Sequence, residues 1–400
     1  MSAMGAVLLE GPKACGKTAS ASRLAKTVVR LDEDANARAA VRVNAQALFD
    51  QPTPILFDEW QVEPDLWNRV RRQVDDRGER GLYLLTGSAT PRDDAARHSG
   101  AGRIGTLRMR PMSLHESGHS NGDVSIAALF AGEPSLARDN GLTVPDLMER
   151  VVVGGWPGLL DSSEADARTW LADYLRQIAE VDLPAAGPRR NPRNIARLFA
   201  SLGRSVGQAV KLTEIAKDVG GDRGAVASET LTGYLDALDR LMLIDNSEAW
   251  QPHMRSTTRL RNAPVRYFVD PSIGTAALGV GSGDLLADLN AAGFHFEALV
   301  VRDLRIYAQP LGGVVDSWRD ANGREVDAVI SLPDGRWGAF EIKLDADAAD
   351  KAATSLLRFA QSVDTTRHGD PTVLGVITST GYAGVRSDGV HVIPITALGP

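Results

Sequence analysis

A single cysteine, Cys15, stands in a chain of 400 residues. No intramolecular disulfide can form, which fits a reducing compartment. Long apolar runs are missing too: nothing approaches the roughly 18 consecutive apolar residues of a membrane-spanning helix. The opening MSAMGAVLLEGPKACGKT also carries no basic stretch of the kind that starts a secretory signal. The expectation is a cytoplasmic protein with no membrane contact. Nor is there an excess of positive charge. With 44 Lys and Arg against 51 Asp and Glu the net charge is -7, which supplies no global attraction for nucleic acid or an anionic surface. Any DNA contact must come from local basic patches. What the chain does have is apolar material, 43% of its residues, enough for two or three cores at the usual size of about 100 to 200 residues per domain.

The first motif comes at once. The apolar run AVLLE, Ala6–Glu10, reads as a strand; GPKACGKT follows, and then ASASRLAKTVVR, which reads as a helix. Strand, glycine-rich loop and helix in that order make a phosphate-binding loop of Gly11, Pro12, Lys13, Ala14, Cys15, Gly16, Lys17 and Thr18. Gly11 and Gly16 let backbone N–H groups turn inward around phosphates, and the following helix offers them its positive end. Lys17 is expected on the β- and γ-phosphates of ATP and Thr18 on Mg²⁺. Cys15 reads as a bystander thiol.

A second strand, PILFDEWQ at Pro54–Gln61, ends in two adjacent carboxylates. Buried carboxylates are costly unless paired or metal-bound, so Asp58 is expected to hold Mg²⁺ and Glu59 to polarise the attacking water. A third strand, Leu82–Ala89, ends in hydroxyls, where Thr86 or Ser88 reaches the γ-phosphate or orients water; capping or turn formation is the competing role of Ser88.

These strands and their order resemble the AAA+ superfamily, in which the second carboxylate and the polar strand end are the Walker-B glutamate and the sensor-1 position. The runs DEWQ, LTGSA, HSGAGRI at His98–Ile104, MRPMSLHES at Met109–Ser117 and GGWPG at Gly154–Gly158 are similar to one bacterial and archaeal family that joins an AAA-type ATPase to a C-terminal domain of unknown function. The likeness spans nearly the whole chain. It implies a further stretch ahead of the first strand in many relatives, hence an expectation of a shortened start. Within this frame Arg103 is a candidate to stabilise the charge of phosphoryl transfer, in cis or from a neighbouring subunit of a homo-oligomer, with Arg110 as competitor and a surface ion pair as the plain alternative for either.

Beyond the loop the pattern turns helical. VSIAALFAG and LTVPDLMERVVVGG have helical spacing and suggest a lid. A short helix near Leu212–Val219, a glycine turn, a longer helix near Ser228–Leu241 and an extended LIDNSEAW follow in winged-helix order. The second helix carries Glu229, Asp236 and Asp239, which repel phosphates, so DNA contact would fall to Arg189, Arg190, Arg193 and Arg197 or to Arg255, Arg259, Arg261 and Arg266. A structural or dimerising winged helix is the alternative.

The last third holds a second constellation. Helix Gly293–Ala308 precedes strands VVDSWRD, Arg324–Leu332 and Trp337–Leu344, the last two joined by PDGR. Glu341 and Lys343, two apart on a strand, share a face, and Asp327 lies across the hairpin. The pattern resembles the PD-(D/E)xK restriction-endonuclease fold, which implies that Asp327 and Glu341 bind a divalent metal, that Lys343 activates water, and that Glu297 completes the metal shell. Cross-strand ion pairing on a sheet face is the bland alternative.

The expected architecture is α/β: an AAA+-like P-loop core with a parallel sheet over 1–112, a helical lid over 113–160, a winged-helix-like helical domain over 161–250 and a restriction-endonuclease-like α/β domain over 251–400. The expected function is ATP binding and hydrolysis controlling a metal-dependent nuclease-like domain. The alternative is an ATP-driven switch or scaffold whose C-terminal domain binds DNA or a protein partner without cleavage. The adjacent Asp58 and Glu59 favour water over a small-molecule acceptor.

Overall fold

Strands that are buried from end to end need cover on both faces, and ILFD and YLLTG in the first part of the chain have it. The computed structural model describes residues 2–87, 98–185, 191–251, 263–320 and 322–400. They divide into two compact units, one of Met1–Pro111 with Leu238–Met242 and one of Met112–Ala237 with Leu243–Pro400.

In the first unit β1 (Ala6–Glu10), β2 (Thr27–Arg30), β3 (Ile55–Asp58), β4 (Tyr83–Gly87) and β5 (Ile104–Arg108) form a parallel sheet in the order β2-β3-β4-β1-β5. Alternation along β3 sends Ile55 and Phe57 to one face and Leu56 to the other. Helix α1 (Lys17–Ser22) covers the second face through Ala21, against Leu9, Leu56 and Leu84. Helices α2 (Ala35–Val43), α3 (Gln46–Phe49) and α4 (Asp65–Arg77) cover the first through Val41, Phe49, Val70 and Val74. Asp34 caps α2 by accepting from the N–H groups of Asn36 and Ala37. The helix expected to run on through TVVR stops at Ser22, and Thr27–Arg30 is instead strand β2 paired with β3. Three consecutive β-branched residues at 27–29 lose rotamer freedom in a helix and pack well on a sheet.

The second unit is built on a seven-stranded sheet in the order β7-β12-β13-β11-β10-β9-β8, from β7 (Ala137–Arg138), β8 (Val314–Arg319), β9 (Glu325–Ser331), β10 (Trp337–Lys343), β11 (Val373–Thr378), β12 (Tyr382–Val385) and β13 (His391–Pro394). β8, β9 and β10 run antiparallel and β10, β11 and β13 parallel. Helix Leu289–Ala308 lies on one face with Phe296 and Leu304 against Ile377 and Ile393. Helix Ala349–Ser362 lies on the other, with Leu356 and Phe359 against Trp337 and Val376. Residues 113–160 pack into the first of these cores through Leu114, Phe130, Leu147 and Val151. Their β6 (Val124–Ser125) pairs with β14 (Leu398–Gly399), and β7 extends the main sheet.

The runs MRPMSLHES and GGWPG are fixed by buried charge. Arg302, 3% exposed, pairs with Asp270 at 2.7 Å and Asp303 at 2.8 Å. Asp303 accepts from the Leu114 N–H at 2.9 Å, Asp270 from the Gly155 N–H at 3.0 Å, and the Trp156 indole donates to Ser272 at 2.9 Å. A Cβ on Gly155 would lie 2.0 Å from the Met112 carbonyl oxygen, so only glycine fits there. Helices Leu212–Gly220 and Ser228–Arg240 form close to the expected positions. Ile244 and Ser247 bridge to Phe268 and Val265.

Candidate functional site

The parallel sheet of the first unit delivers the ends of β1, β3 and β4 to one edge, and β4 lies between the other two. Past Glu10 the chain turns through a loop in which Ala14 (φ 65°) and Gly16 (φ 96°) take left-handed backbone. A Cβ on Gly11 would lie 2.5 Å from the Met109 carbonyl oxygen, so that position admits glycine alone. Lys17 is buried and its Nζ donates to the carbonyls of Gly11 and Pro12, both at 2.8 Å. Burial pulls its pKa down, while Cys15, Glu59 and Asp58 oppose that. The Cys15 thiol, 2% exposed, is pushed up by burial and is thereby poorly reactive.

Asp58 closes β3, and one oxygen of it gathers two hydroxyls: Thr18 Oγ1 donates to Oδ1 at 2.8 Å and Thr86 Oγ1 to the same atom at 2.5 Å. Loop, β3 and β4 therefore converge on one buried carboxylate. Thr86 is the strand-end hydroxyl found there; Ser88 lies outside the described residues. Glu59 ends the strand by taking left-handed backbone (φ 51°, ψ 47°), and a 3-10 turn follows at Trp60–Val62. Its carboxylate accepts a hydrogen bond from the Gln61 side-chain amide. Gln61 Oε1 is buried without a hydrogen-bond partner among the described residues, and a Cβ on Gly87 would lie 2.6 Å from it. Sequence reasoning missed Gln61. DEWQ was a visible run, but only the left-handed turn at Glu59 shows that the glutamine folds back on the glutamate.

Arg103 sits elsewhere. Its carbonyl accepts from the Ala6 N–H at the start of β1, the sheet edge away from the loop, and its guanidinium donates to Asp75 at 2.8 Å and to the Ala101 carbonyl at 3.1 Å. A five-residue strand at about 3.3 Å per residue separates that edge from the loop, and the Arg103 guanidinium is engaged there with Asp75. Arg110 lies beyond the end of β5, on the loop side.

In the second unit the register Phe340↔Ala328 brings Asp327 opposite Glu341. Lys343 Nζ lies 2.6 Å from Glu341 and 3.1 Å from Asp327, and Asp327 also accepts from the Ile342 N–H at 2.7 Å. Glu341 is 4% exposed, and burial with the nearby Asp327 pushes its pKa up to about 8 against the pull of Lys343. Against the burial that would lower it, Asp327 and Glu341 hold Lys343 above the usual lysine range. Glu297 takes the Tyr267 hydroxyl at 2.5 Å and is raised by burial and Asp327. The expected residues are thus brought together, but the cation between Asp327 and Glu341 is the Lys343 ammonium. Among the described residues no group of three or more His, Cys, Asp or Glu gathers closely enough to hold a metal ion.

Of the arginines considered for DNA, Arg266 is 7% exposed and therefore not a surface contact, because its side chain fills the interior. Arg197 donates to the Gly220 carbonyl at 3.0 Å. Arg189, Arg190, Arg255, Arg259 and Arg261 lie outside the described residues. No described helix is long and apolar enough to cross a membrane.

Residues 4–118 match the AAA domain family, residues 144–284 a domain of unknown function (DUF8612) and residues 292–398 a second (DUF4143). No curated protein matches the chain. Similar solved structures include a Walker-type ATPase of Pyrococcus abyssi, 12% identical over 68% of this chain and 91% of that one, with a TM-score of 0.39. They also include a RuvB variant of Thermotoga maritima, 16% identical over 61% and 83% with a TM-score of 0.23. A third is a Drosophila ORC structure bound to DNA, 11% identical over 66% and 86% with a TM-score of 0.22. The parallel sheet and the phosphate loop on β1 give the N-terminal part of this chain a P-loop NTPase fold, and its residues 4–118 match the AAA domain family.

Proposed function

We propose that the first unit binds ATP with Mg²⁺ and hydrolyses it, and that nucleotide state controls what the second unit engages. The observation that carries the first half is the convergence of Thr18 and Thr86 on Asp58 Oδ1 beside the buried Lys17. This oxygen-rich set suits a hard cation that keeps several waters. Mg²⁺ supplies charge neutralisation at the phosphates when bound. Thr18 and Asp58 would hold it, Lys17 would exchange the two loop carbonyls for phosphate oxygens, and Glu59 would take the proton of the attacking water with Gln61 fixing its carboxylate. Lys17→Ala is expected to lose nucleotide affinity or turnover, while Glu59→Gln binds ATP and turns over about 10²- to 10⁴-fold more slowly. Wild-type binding and hydrolysis by Lys17→Ala would sink the assignment.

For the second unit, helix Leu289–Ala308 ahead of β8–β10 and the joined Asp327, Glu341 and Lys343 support a nuclease-like ancestry. The residues as they stand do not fit a metal, because the Lys343 ammonium already pairs with both carboxylates and, among the described residues, three ligands do not meet. That observation favours the second reading, a C-terminal domain that binds DNA or a protein partner without cutting. Purified protein with Mn²⁺ is therefore expected to leave supercoiled DNA and RNA intact. Nicking that disappears in Asp327→Ala while ATP hydrolysis persists would restore the nuclease reading.

A further inference from the structure

The first unit carries a second polar cleft that the phosphate loop does not use. It lies between the end of α2, with α3, and the outward face of α4, and holds about 670 Å³. Burial of Leu66, Val70 and Val74 fixes the rotation of α4, so the residues three and four apart on its other side, Asn68, Arg69, Arg72 and Gln73, face outward together. Arg71 flanks them. None of Arg69, Arg71 and Arg72 forms an ion pair or side-chain hydrogen bond among the described residues, and Arg71 Nε is buried without a partner. Arg42, at the end of α2 near the same cleft, is by contrast paired with Glu63 at 2.6 Å.

We propose that this cleft binds the sugar-phosphate backbone of a nucleic acid, with Arg69 and Arg72 on phosphates and Arg71 at the cleft wall. Three guanidinium forks in a row suit phosphate oxygens. The rest of the lining separates nucleic acid from an acidic protein segment. Asn44 offers an amide that serves sugars and base edges, Gln73 donates to Gln46 at 3.0 Å and extends the polar wall, and Val43 is the one exposed large hydrophobic among the lining residues. Protein partners anchor through aromatic or aliphatic side chains in apolar pockets, which are missing from this lining, whereas nucleic-acid interfaces are polar and positive. Asp65 and Asp76 stand at the two ends of the helix face and confine the positive stretch between them. The proposal is independent of the ATPase reading, since no lining residue belongs to the phosphate loop or to Asp58 and Glu59.

The test is fluorescence anisotropy of a labelled single-stranded oligonucleotide of mixed sequence with the full-length chain over a salt series. Arg69→Gln with Arg72→Gln keeps good helix formers on an exposed face, so melting temperature stays near wild type. Affinity is expected to drop at least about tenfold, and the slope of log K against log salt to flatten by about 0.7 to 0.9 for each arginine removed. As a second variant Arg71→Lys keeps the charge and loses the fork; it is expected to weaken binding without changing the slope. The proposal is overturned if the wild type does not bind the oligonucleotide, if the double variant binds with wild-type affinity and slope, or if polyglutamate binds in its place and is the ligand lost in the variants.

Discussion

Glu59 and Gln61 show how one backbone angle changes a residue's chemistry. Had β3 continued, alternation would have kept both side chains on one face, about 6.6 Å apart along the strand. The left-handed turn at Glu59 ends the strand and folds the Gln61 amide onto the carboxylate. A base held in a fixed orientation accepts a proton at the right distance more often than a rotating one. Gln61→Ala is expected to leave KM for ATP unchanged and lower kcat by about 10-fold, less than loss of the base itself. Gln61→Glu places a second negative charge beside Glu59 and should lower kcat further. A change in KM with kcat intact, measured by steady-state turnover, would mean that Gln61 serves nucleotide binding instead.

At the scale of elements, the phosphate loop, β1, β3, β4 and the Asp327–Glu341–Lys343 hairpin were legible because short-range pattern fixes each of them. The roles of MRPMSLHES and GGWPG were not. Their partners, Asp303 and Asp270, lie 189 and 115 residues along the chain, and no local periodicity reports a contact at that range. The same holds for β2, where helix spacing and a β-branched run competed and pairing with β3 decided. What these runs do is dock two turns onto helix Leu289–Ala308 through one buried arginine shared by two aspartates. Removing a single member leaves charge stranded in the interior. Arg302→Met is expected to destabilise the second unit by about 3 to 5 kcal/mol, read by urea unfolding. Replacing Asp270, Asp303 and Arg302 together by apolar residues should cost less than Arg302→Met alone, since no unpaired charge then remains.

For the whole molecule, one buried histidine makes stability depend on acid. His295, 2% exposed, is held neutral by burial, which lowers its pKa to about 4 from the ordinary 6.5. Between those values the unfolded chain binds a proton that the folded one does not, so stability rises with pH across this window. It is complete above about 6.5 and is lost as pH falls toward 4, by up to about 3 kcal/mol from this group. Melting temperature should fall off toward acid more steeply in the wild type than in His295→Leu, the difference isolating this group; equal slopes would mean that His295 is charged when folded. The two-unit division was only partly legible in the sequence. The run at residues 113–160, expected as a helical lid from its spacing, shares a core with Phe296 and Ile393, a contact that no local spacing reports.

The pairing of β6 with β14 bears on how the molecule is made. Ser120 donates to the Leu398 carbonyl, a partner 278 residues later in the chain. At the usual pace of about 5 to 20 residues per second, the ribosome needs about 14 to 56 s to supply that partner. Throughout this interval Val124, Ile126, Leu129 and Phe130, all buried in the finished protein, have emerged without the strands that cover them. The parallel sheet of Ala6–Arg108, by contrast, has all five of its strands in hand before that wait begins. Nascent chains stalled in the middle of the message should therefore carry a folded nucleotide domain and a sticky, protease-sensitive segment behind it, the stretch that chaperones would shield.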